Sequence, residues 1–281
     1  METISEVASL RQCIRRWRRA GERIGFVPTM GNLHEGHLAL VEAAKKRCDR
    51  CVVSIFVNPM QFGEGEDFAS YPRTLEEDRH SLEVAATDLL FVPSAATIYP
   101  HGDQAQTRVE VPALSDILCG ASRPGHFVGV ATIVCKLFNY VQPDLALFGE
   151  KDYQQLMVIR QMVDDLAIPV EIIGMPTVRE ADGLAKSSRN GYLNPEQRKQ
   201  APKLYETLRT TAGALMAGER DYAMLEAKGV EMLRSAGFEP DYYAIRRAKD
   251  LQLPTREEQD LVILAAAYMG TTRLIDNLNA A

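Results

Sequence analysis

Apolar residues fall along the chain in two kinds of run. Short ones occupy residues 24–28, 51–57, 88–92, 145–148 and 170–173 and read as strands, and the continuous run 51–57 is the kind buried on both faces of a parallel sheet. Between them lie stretches with helical spacing. Residues 36–46 place Leu38, Leu40, Val41 and Ala44 on one face. Residues 75–86, 132–141 and 153–166 follow the same rule. Strands alternating with helices of this length predict a parallel sheet joined by right-handed crossovers. After residue 175 the pattern changes. Residues 197–216 and 222–235 read as helices, and 241–246, 261–267 and 273–276 as strands, which predicts a small α+β domain. Pro176, Gly183, Gly191 and Pro195 punctuate the change. The expected organisation is a Rossmann-like α/β domain over residues 1–175 and a smaller C-terminal α+β lid domain over residues 176–281.

Composition narrows the class. Of 281 residues, 46% are hydrophobic and 25% charged, too apolar for a disordered chain. No apolar run reaches the roughly 20 residues that cross a bilayer. The N-terminus has no basic start followed by an apolar stretch, so no secretory leader is expected. The net charge of −6 argues against non-specific nucleic-acid binding. Arg15, Arg16, Arg18 and Arg19 then read as the solvated side of a helix whose other face carries Leu10, Ile14 and Trp17. Five cysteines are an odd number and suggest a reduced, cytoplasmic chain. Cys48 and Cys51 spell Cys-x-x-Cys, but with no second pair for zinc and a place after a helix rather than at its positive end, they read as small buried hydrophobes.

The strongest chemical signal is Pro28-Thr29-Met30-Gly31-Asn32-Leu33-His34-Glu35-Gly36-His37, between the first long strand and the following helix. Ligands of open α/β sheets bind beyond the carboxyl ends of strands. Gly31 permits a tight turn, and free amides at a helix start favour an anion. His34 and His37 could donate to phosphate oxygens, ligate a metal with a further partner, or simply cap the helix. Neither Gly-x-Gly-x-x-Gly nor the Walker pattern is present.

His34-x-Gly36-His37 after a first strand resembles the signature of the nucleotidyltransferase superfamily. The wider context resembles the pantothenate synthetase (pantoate–β-alanine ligase) family. The blocks carrying the likeness are residues 28–37, 56–62 (Phe-Val-Asn-Pro-Met-Gln-Phe), 123–130, 136–139, 148–156 (Phe-Gly-Glu-Lys-Asp-Tyr-Gln-Gln-Leu) and 182–190. The resemblance implies that ATP and (R)-pantoate form pantoyl adenylate and pyrophosphate, after which β-alanine displaces AMP to give pantothenate. It implies an ATP site lined by Met30, Gly31, Asn32, Leu33, His34, Glu35, Gly36 and His37. Gly149, Glu150, Lys151, Asp152, Val178, Lys186, Ser187, Ser188 and Arg189 complete that site. His37 is the expected catalytic residue. Gln61 and Gln155 are expected to read pantoate, since a primary amide both donates to and accepts from hydroxyls. Gln61 is also expected at the β-alanine site, and Met30, Phe62 and Val134 could cover the pantoate methyls. Mg²⁺ is expected with ATP, with no metal held by protein ligands, because no acidic cluster demands one. A cytoplasmic homodimer binding only small molecules is implied. Residues 183–191, bracketed by Gly183 and Gly191, are expected to close over the nucleotide.

One position departs from the family pattern. Lys186 stands where Met or Leu is expected before Ser187-Ser188-Arg189. It could add a phosphate contact or point into water. A transferase that stops at a nucleotide conjugate shares the His-x-Gly-His loop but gives no reason for the Asn-Pro-Met-Gln-Phe block or for Gln155. A non-catalytic nucleotide-binding protein gives no reason to keep His34, His37, Lys151, Ser187 and Arg189 together.

Overall fold

The computed structural model describes residues 1–280. The chain divides into two compact units. One comprises Met1–Glu150 and Val158–Pro176, the other Lys151–Met157 and the chain from Thr177 on. The sequence reading places the division after residue 175; the compact units change over between Pro176 and Thr177, and residues 151–157 also belong to the second. Two side-chain hydrogen bonds tie residues 151–157 to the rest of that unit. Tyr153 Oη donates to the Ala248 carbonyl at 3.0 Å, and Asn277 Nδ2 to the Lys151 carbonyl at 2.9 Å.

The first unit begins with β1 (Glu2–Ile4), α1 (Val7–Arg19), β2 (Ile24–Thr29), α2 (Glu35–Lys45) and β3 (Arg50–Ile55). It continues through α3 (Leu75–Val84), β4 (Leu89–Phe91), α4 (Ala95–Ile98), α5 (Cys119–Ser122), α6 (His126–Val141) and β5 (Leu145–Gly149). Helix α7 (Tyr153–Asp165), whose residues up to Met157 belong to the second unit, and β6 (Glu171–Met175) follow. The strands form one six-stranded sheet in the order β1-β4-β3-β2-β5-β6, and every pair is parallel. Side chains alternate across it. Val27, Cys51, Val53, Ile55, Leu90, Leu145 and Leu147 meet Leu40, Val41 and Ala44 of α2 and Leu82 of α3. On the other face, the Phe138 ring of α6 meets Phe26 and Phe148 edge-on, with centroids 6.3 and 6.4 Å away. Helix α1 packs beside α6 and buries Leu10, Ile14 and Trp17, while Arg15, Arg16, Arg18 and Arg19 are exposed. Burial on both faces explains the continuous apolar strands.

The strand order sets where a ligand fits. From β2 the chain steps to β3 and then β4 on one side, and later returns to β5 and β6 on the other. The order reverses between β2 and β5, and a crevice opens beyond their carboxyl ends at such a reversal. Loop 30–37 leaves the end of β2 there, and Gly149 is the last residue of β5.

The second unit holds α8 (Pro195–Gln200), α9 (Lys203–Met216), α10 (Tyr222–Ser235), β7 (Glu239–Arg247), β8 (Leu261–Met269) and β9 (Thr272–Ala280). Its strands form an antiparallel sheet, β7-β8-β9. Leu204, Leu208 and Leu215 of α9 and Leu225 and Leu233 of α10 pack with Leu261, Ile263 and Ala265 of β8. The single helix expected over 197–216 is two helices, broken at Ala201-Pro202, because Pro202 has no amide to continue the ladder. Helix α6 starts at His126, six residues before the expected start at 132. Among the described residues, no helix is long and apolar enough to cross a membrane.

Candidate active site

The loop after β2 is held by side chains the sequence reading did not single out. Gly31 and Asn32 have φ of +83° and +51°. The φ of Gly31 favours glycine, and a Cβ there would crowd Asp78 Oδ2 at 3.1 Å. Asp78, on α3 and 2% exposed, accepts the Asn32 amide at 2.9 Å and the Leu33 amide at 2.7 Å. Thr29 Oγ1 donates to the Ser54 carbonyl at 2.8 Å and accepts the Gly31 amide at 3.2 Å. A buried carboxylate with two backbone donors fixes the loop against α3.

His34 caps α2. Its Nδ1 accepts the Gly36 amide at 3.1 Å, and His37 Nδ1 accepts the His34 amide at 3.3 Å. The pair forms a reciprocal capping box, with ring centroids 4.1 Å apart. The expected free amides are therefore largely engaged. Those of Asn32, Leu33 and Gly36 bind Asp78 and His34, and that of His37 donates to the His34 carbonyl at 2.8 Å. What the loop presents instead is imidazole. With Nδ1 accepting, each neutral ring keeps its proton on Nε2 and is a donor there. Met30, Leu33, Gly36 and both histidines are half-buried, while Glu35 is exposed.

Gln61 is buried on a 3₁₀ turn (Pro59–Gln61), and its Nε2 lies 3.1 Å from Met30 Sδ. Asn58 Nδ2 donates to Gln61 Oε1 and to the Gly129 carbonyl, both at 3.1 Å, and Tyr99 Oη donates to Asn58 Oδ1 at 2.6 Å. A Cβ on Gly129 would lie 2.3 Å from the Met60 carbonyl oxygen, so α6 approaches this turn as only glycine allows. The Gln61 carbonyl accepts from His126 Nδ1 at 2.8 Å and from Arg123 at 3.3 Å. Because a carbonyl can only accept, the His126 proton sits on Nδ1, and Nε2 is left to accept from Arg123 Nη1 at 3.1 Å. Glu66 anchors Arg123 with two contacts of 2.6 Å. Burial pushes the Glu66 carboxyl up, but the Arg123 hydrogen bonds and charge outweigh it, and its pKa lies below the ordinary value. Asn58, Tyr99, Arg123 and His126 thus hold Gln61. Arg123 and His126 stand in a block quoted for its family likeness, yet their geometry is not readable from spacing.

Gly149 and Glu150 follow the carboxyl end of β5, both half-buried. The remaining predicted residues lie in the second unit. Lys151 and Asp152 occupy the 3₁₀ turn Glu150–Asp152, and Gln155 stands in the first turn of α7. Val178 and Lys186 face each other across a hairpin. The Lys186 amide donates to the Val178 carbonyl at 2.9 Å, and the Glu180 amide to the Leu184 carbonyl at 2.8 Å. Lys186 Nζ lies 3.1 Å from Glu180 Oε2, so this side chain has an intrahairpin partner. Ser187 caps the 3₁₀ turn Ser188–Tyr192 through the Arg189 amide at 3.3 Å. Ser187, Ser188 and Arg189 are half-buried.

No group of three or more His, Cys, Asp and Glu side chains among the described residues is arranged to hold a metal. Cys51 is buried, and burial pushes its thiol up to about 12, the opposite of a reactive thiolate.

A parallel sheet with a reversal between β2 and β5, and a histidine-capped helix start at that reversal, define an α/β protein of the nucleotidyltransferase type. Comparison with known proteins carries this further. The family model described as Pantoate-beta-alanine ligase matches residues 2–279, and the chain belongs to that family. A pantothenate synthetase of Shewanella loihica is 58% identical over 279 residues, covering 99% of each chain. One of Pseudomonas putida is 60% identical over 278 residues, covering 99% of this chain and 97% of its own. Among solved structures, a pantothenate synthetase of Thermus thermophilus superposes with a TM-score of 0.93 at 50% identity, covering 100% of this chain and 99% of its own. A pantoate–β-alanine ligase of Francisella tularensis, solved with a β,γ-ATP ligand and β-alanine, gives 0.83 at 37% identity, covering 100% and 98%.

Proposed function

We infer that this protein condenses (R)-pantoate with β-alanine at the expense of ATP, releasing AMP and pyrophosphate. The observation that carries the reading is the histidine-capped loop at the reversal of strand order, in a chain that matches the ligase family from residue 2 to residue 279. A carboxylate is a poor acyl donor because oxide would have to leave. Attack of a pantoate carboxylate oxygen on the α-phosphorus expels pyrophosphate and leaves the acyl group joined to AMP. The β-alanine amine then attacks the acyl carbon, loses a proton, and AMP departs. Negative charge builds on the phosphorus oxygens in the first step, and donors fixed before the reaction stabilise it.

His37, through Nε2, is the donor we assign to that charge, with His34 beside it. Met30–His37, Gly149–Asp152, Val178 and Ser187–Arg189 line the ATP site, and Lys186 borders it through its backbone. Gln61 and Gln155 read the pantoate hydroxyls and carboxylate, and Gln61 also meets β-alanine. Mg²⁺ arrives on the ATP phosphates as part of the substrate. The working form is a cytoplasmic homodimer, and residues 183–191 slow their amide exchange when ATP and pantoate bind.

The decisive experiment omits β-alanine. With ATP, Mg²⁺ and pantoate, labelled pyrophosphate should exchange into ATP. Adding β-alanine should then release AMP in step with pantothenate. An acyl-phosphate route would give ADP instead, and a conjugating transferase would ignore β-alanine. Absence of pantoate-dependent exchange, with no AMP on adding β-alanine, would overturn the reading. Gln155→Ala should raise the KM for pantoate far more than that for ATP.

A further inference from the structure

In the second unit an ion pair with a buried carboxylate joins segments that are distant in sequence. Arg179 Nη1 and Nη2 contact the two carboxylate oxygens of Asp276 at 2.6 and 3.0 Å. Asp276 lies on β9 and is 3% exposed. The same guanidinium donates to the Gly183 carbonyl at 3.1 Å and to the Asn277 carbonyl at 3.3 Å. It also lies 3.6 Å from the centroid of the Tyr205 ring. Gly183, with φ of +95°, rests on that ring too, since a Cβ there would come within 2.8 Å of Tyr205 Cδ1. Next to Asp276, the Asn277 amide bonds its carboxylate at 2.8 Å, and the Asn277 side chain donates to the Lys151 carbonyl at 2.9 Å.

Two cationic segments thus share one anchor. One is Lys151. The other is the hairpin 178–186, which runs directly into Ser187, Ser188 and Arg189. A surface ion pair would have little effect on either. Here the carboxylate is buried and the guanidinium half-buried, the contact is bidentate and hydrogen-bonded beyond the pair, and moving it leaves the buried carboxylate without compensation. Burial pushes the Asp276 carboxyl up, and Arg179 and the Lys151 charge pull against that shift.

We propose that Arg179, Asp276 and Asn277 are positioning residues for the adenylation step, holding Lys151 and the hairpin ahead of Ser187–Arg189 in one fixed relation. They touch no reacting atom. They tie the turn that carries one cation to the hairpin that delivers the others, and they set the affinity for ATP. The proposal rests on the ligase reading and names what orients its second-unit donors.

The test measures pantoate-dependent pyrophosphate exchange in the full-length enzyme. Asn277→Leu removes the donor to Lys151 and leaves the ion pair intact. It should raise the KM for ATP about 3–10-fold and lower the melting temperature, with the KM for pantoate unchanged. Asp276→Asn should raise the KM for ATP further, about 10–100-fold, because it strips the charge from a buried carboxylate. If Asp276→Asn does not fold, Asn277→Leu decides alone. An active wild type whose Asn277→Leu variant keeps its KM for ATP would overturn the positioning role. So would equal rises in both KM values. A wild type without exchange would overturn the ligase reading and this inference with it.

Discussion

The loop 30–37 and the hairpin 178–186 both lead to predicted ATP-site residues, but they are held in different ways. The loop's anchor, Asp78, stands 45 and 46 positions from the amides it binds, and His34 and His37 cap each other within one turn. Most of its shape follows from its own residues and one carboxylate on the neighbouring helix. The hairpin takes its position from Asp276, 97 positions away from Arg179. Damage to the loop should therefore appear first as lost chemistry and lost stability. Damage to the hairpin should appear as lost nucleotide affinity.

The largest effect is expected at His37. His37→Ala removes the assigned donor and should slow pyrophosphate exchange about 10²–10³-fold, with the far-ultraviolet circular dichroism unchanged. Wild-type exchange in that variant would take His37 out of the mechanism. Next comes Asp78→Asn. An amide in place of the buried carboxylate cannot accept both loop amides through equivalent oxygens. Denaturant unfolding should show a loss of about 1–3 kcal/mol. Gly183→Ala probes the hairpin in the same range, about 1–3 kcal/mol, because the alanine would hold a strained φ against Tyr205. It should also raise the KM for ATP. If only stability changed, the hairpin would not set nucleotide affinity.

The smallest effect is expected at Lys186. Its partner in the structure is Glu180, so Lys186→Met should cost no more than about 1 kcal/mol in stability and leave the KM for ATP nearly unchanged. A loss of about 1.5–3 kcal/mol in ATP affinity would instead mean that Lys186 reaches the phosphates. The contrast between loop and hairpin would then narrow, because the hairpin would supply its own phosphate donor.

Much of the sheet was readable because its strands are apolar on both faces. β1 was not, since Glu2 and Thr3 are exposed and only Ile4 is buried. The start of α6 was hidden by Gly125 and Gly129, residues that disfavour a helix on propensity alone. Gly129 is there because Met60 leaves no room for a Cβ. Asp78 sits in the run Glu76-Glu77-Asp78, which in sequence reads as a solvated acidic helix start. Only the fold turns its carboxylate toward Asn32 and Leu33. His34, His37 and Gln61 could be named from motifs because local spacing carries them. The residues that hold them in place come from other elements. Arg179 and Asp276 left no trace in sequence, since nothing local links positions so far apart.

That separation also has a consequence during synthesis. A ribosome adds roughly 5–20 residues each second. After Arg179 is made, about 5–20 s pass before Asp276 follows it 97 positions later. Late in that interval, once β6 has left the ribosome, the nascent chain can contain the six-stranded sheet and its histidine loop. The guanidinium, however, has no carboxylate to receive it, and the hairpin has no fixed place. The histidine-capped loop then forms before the anchor of the hairpin is made, and on the reading proposed above competence for adenylation arrives late in translation.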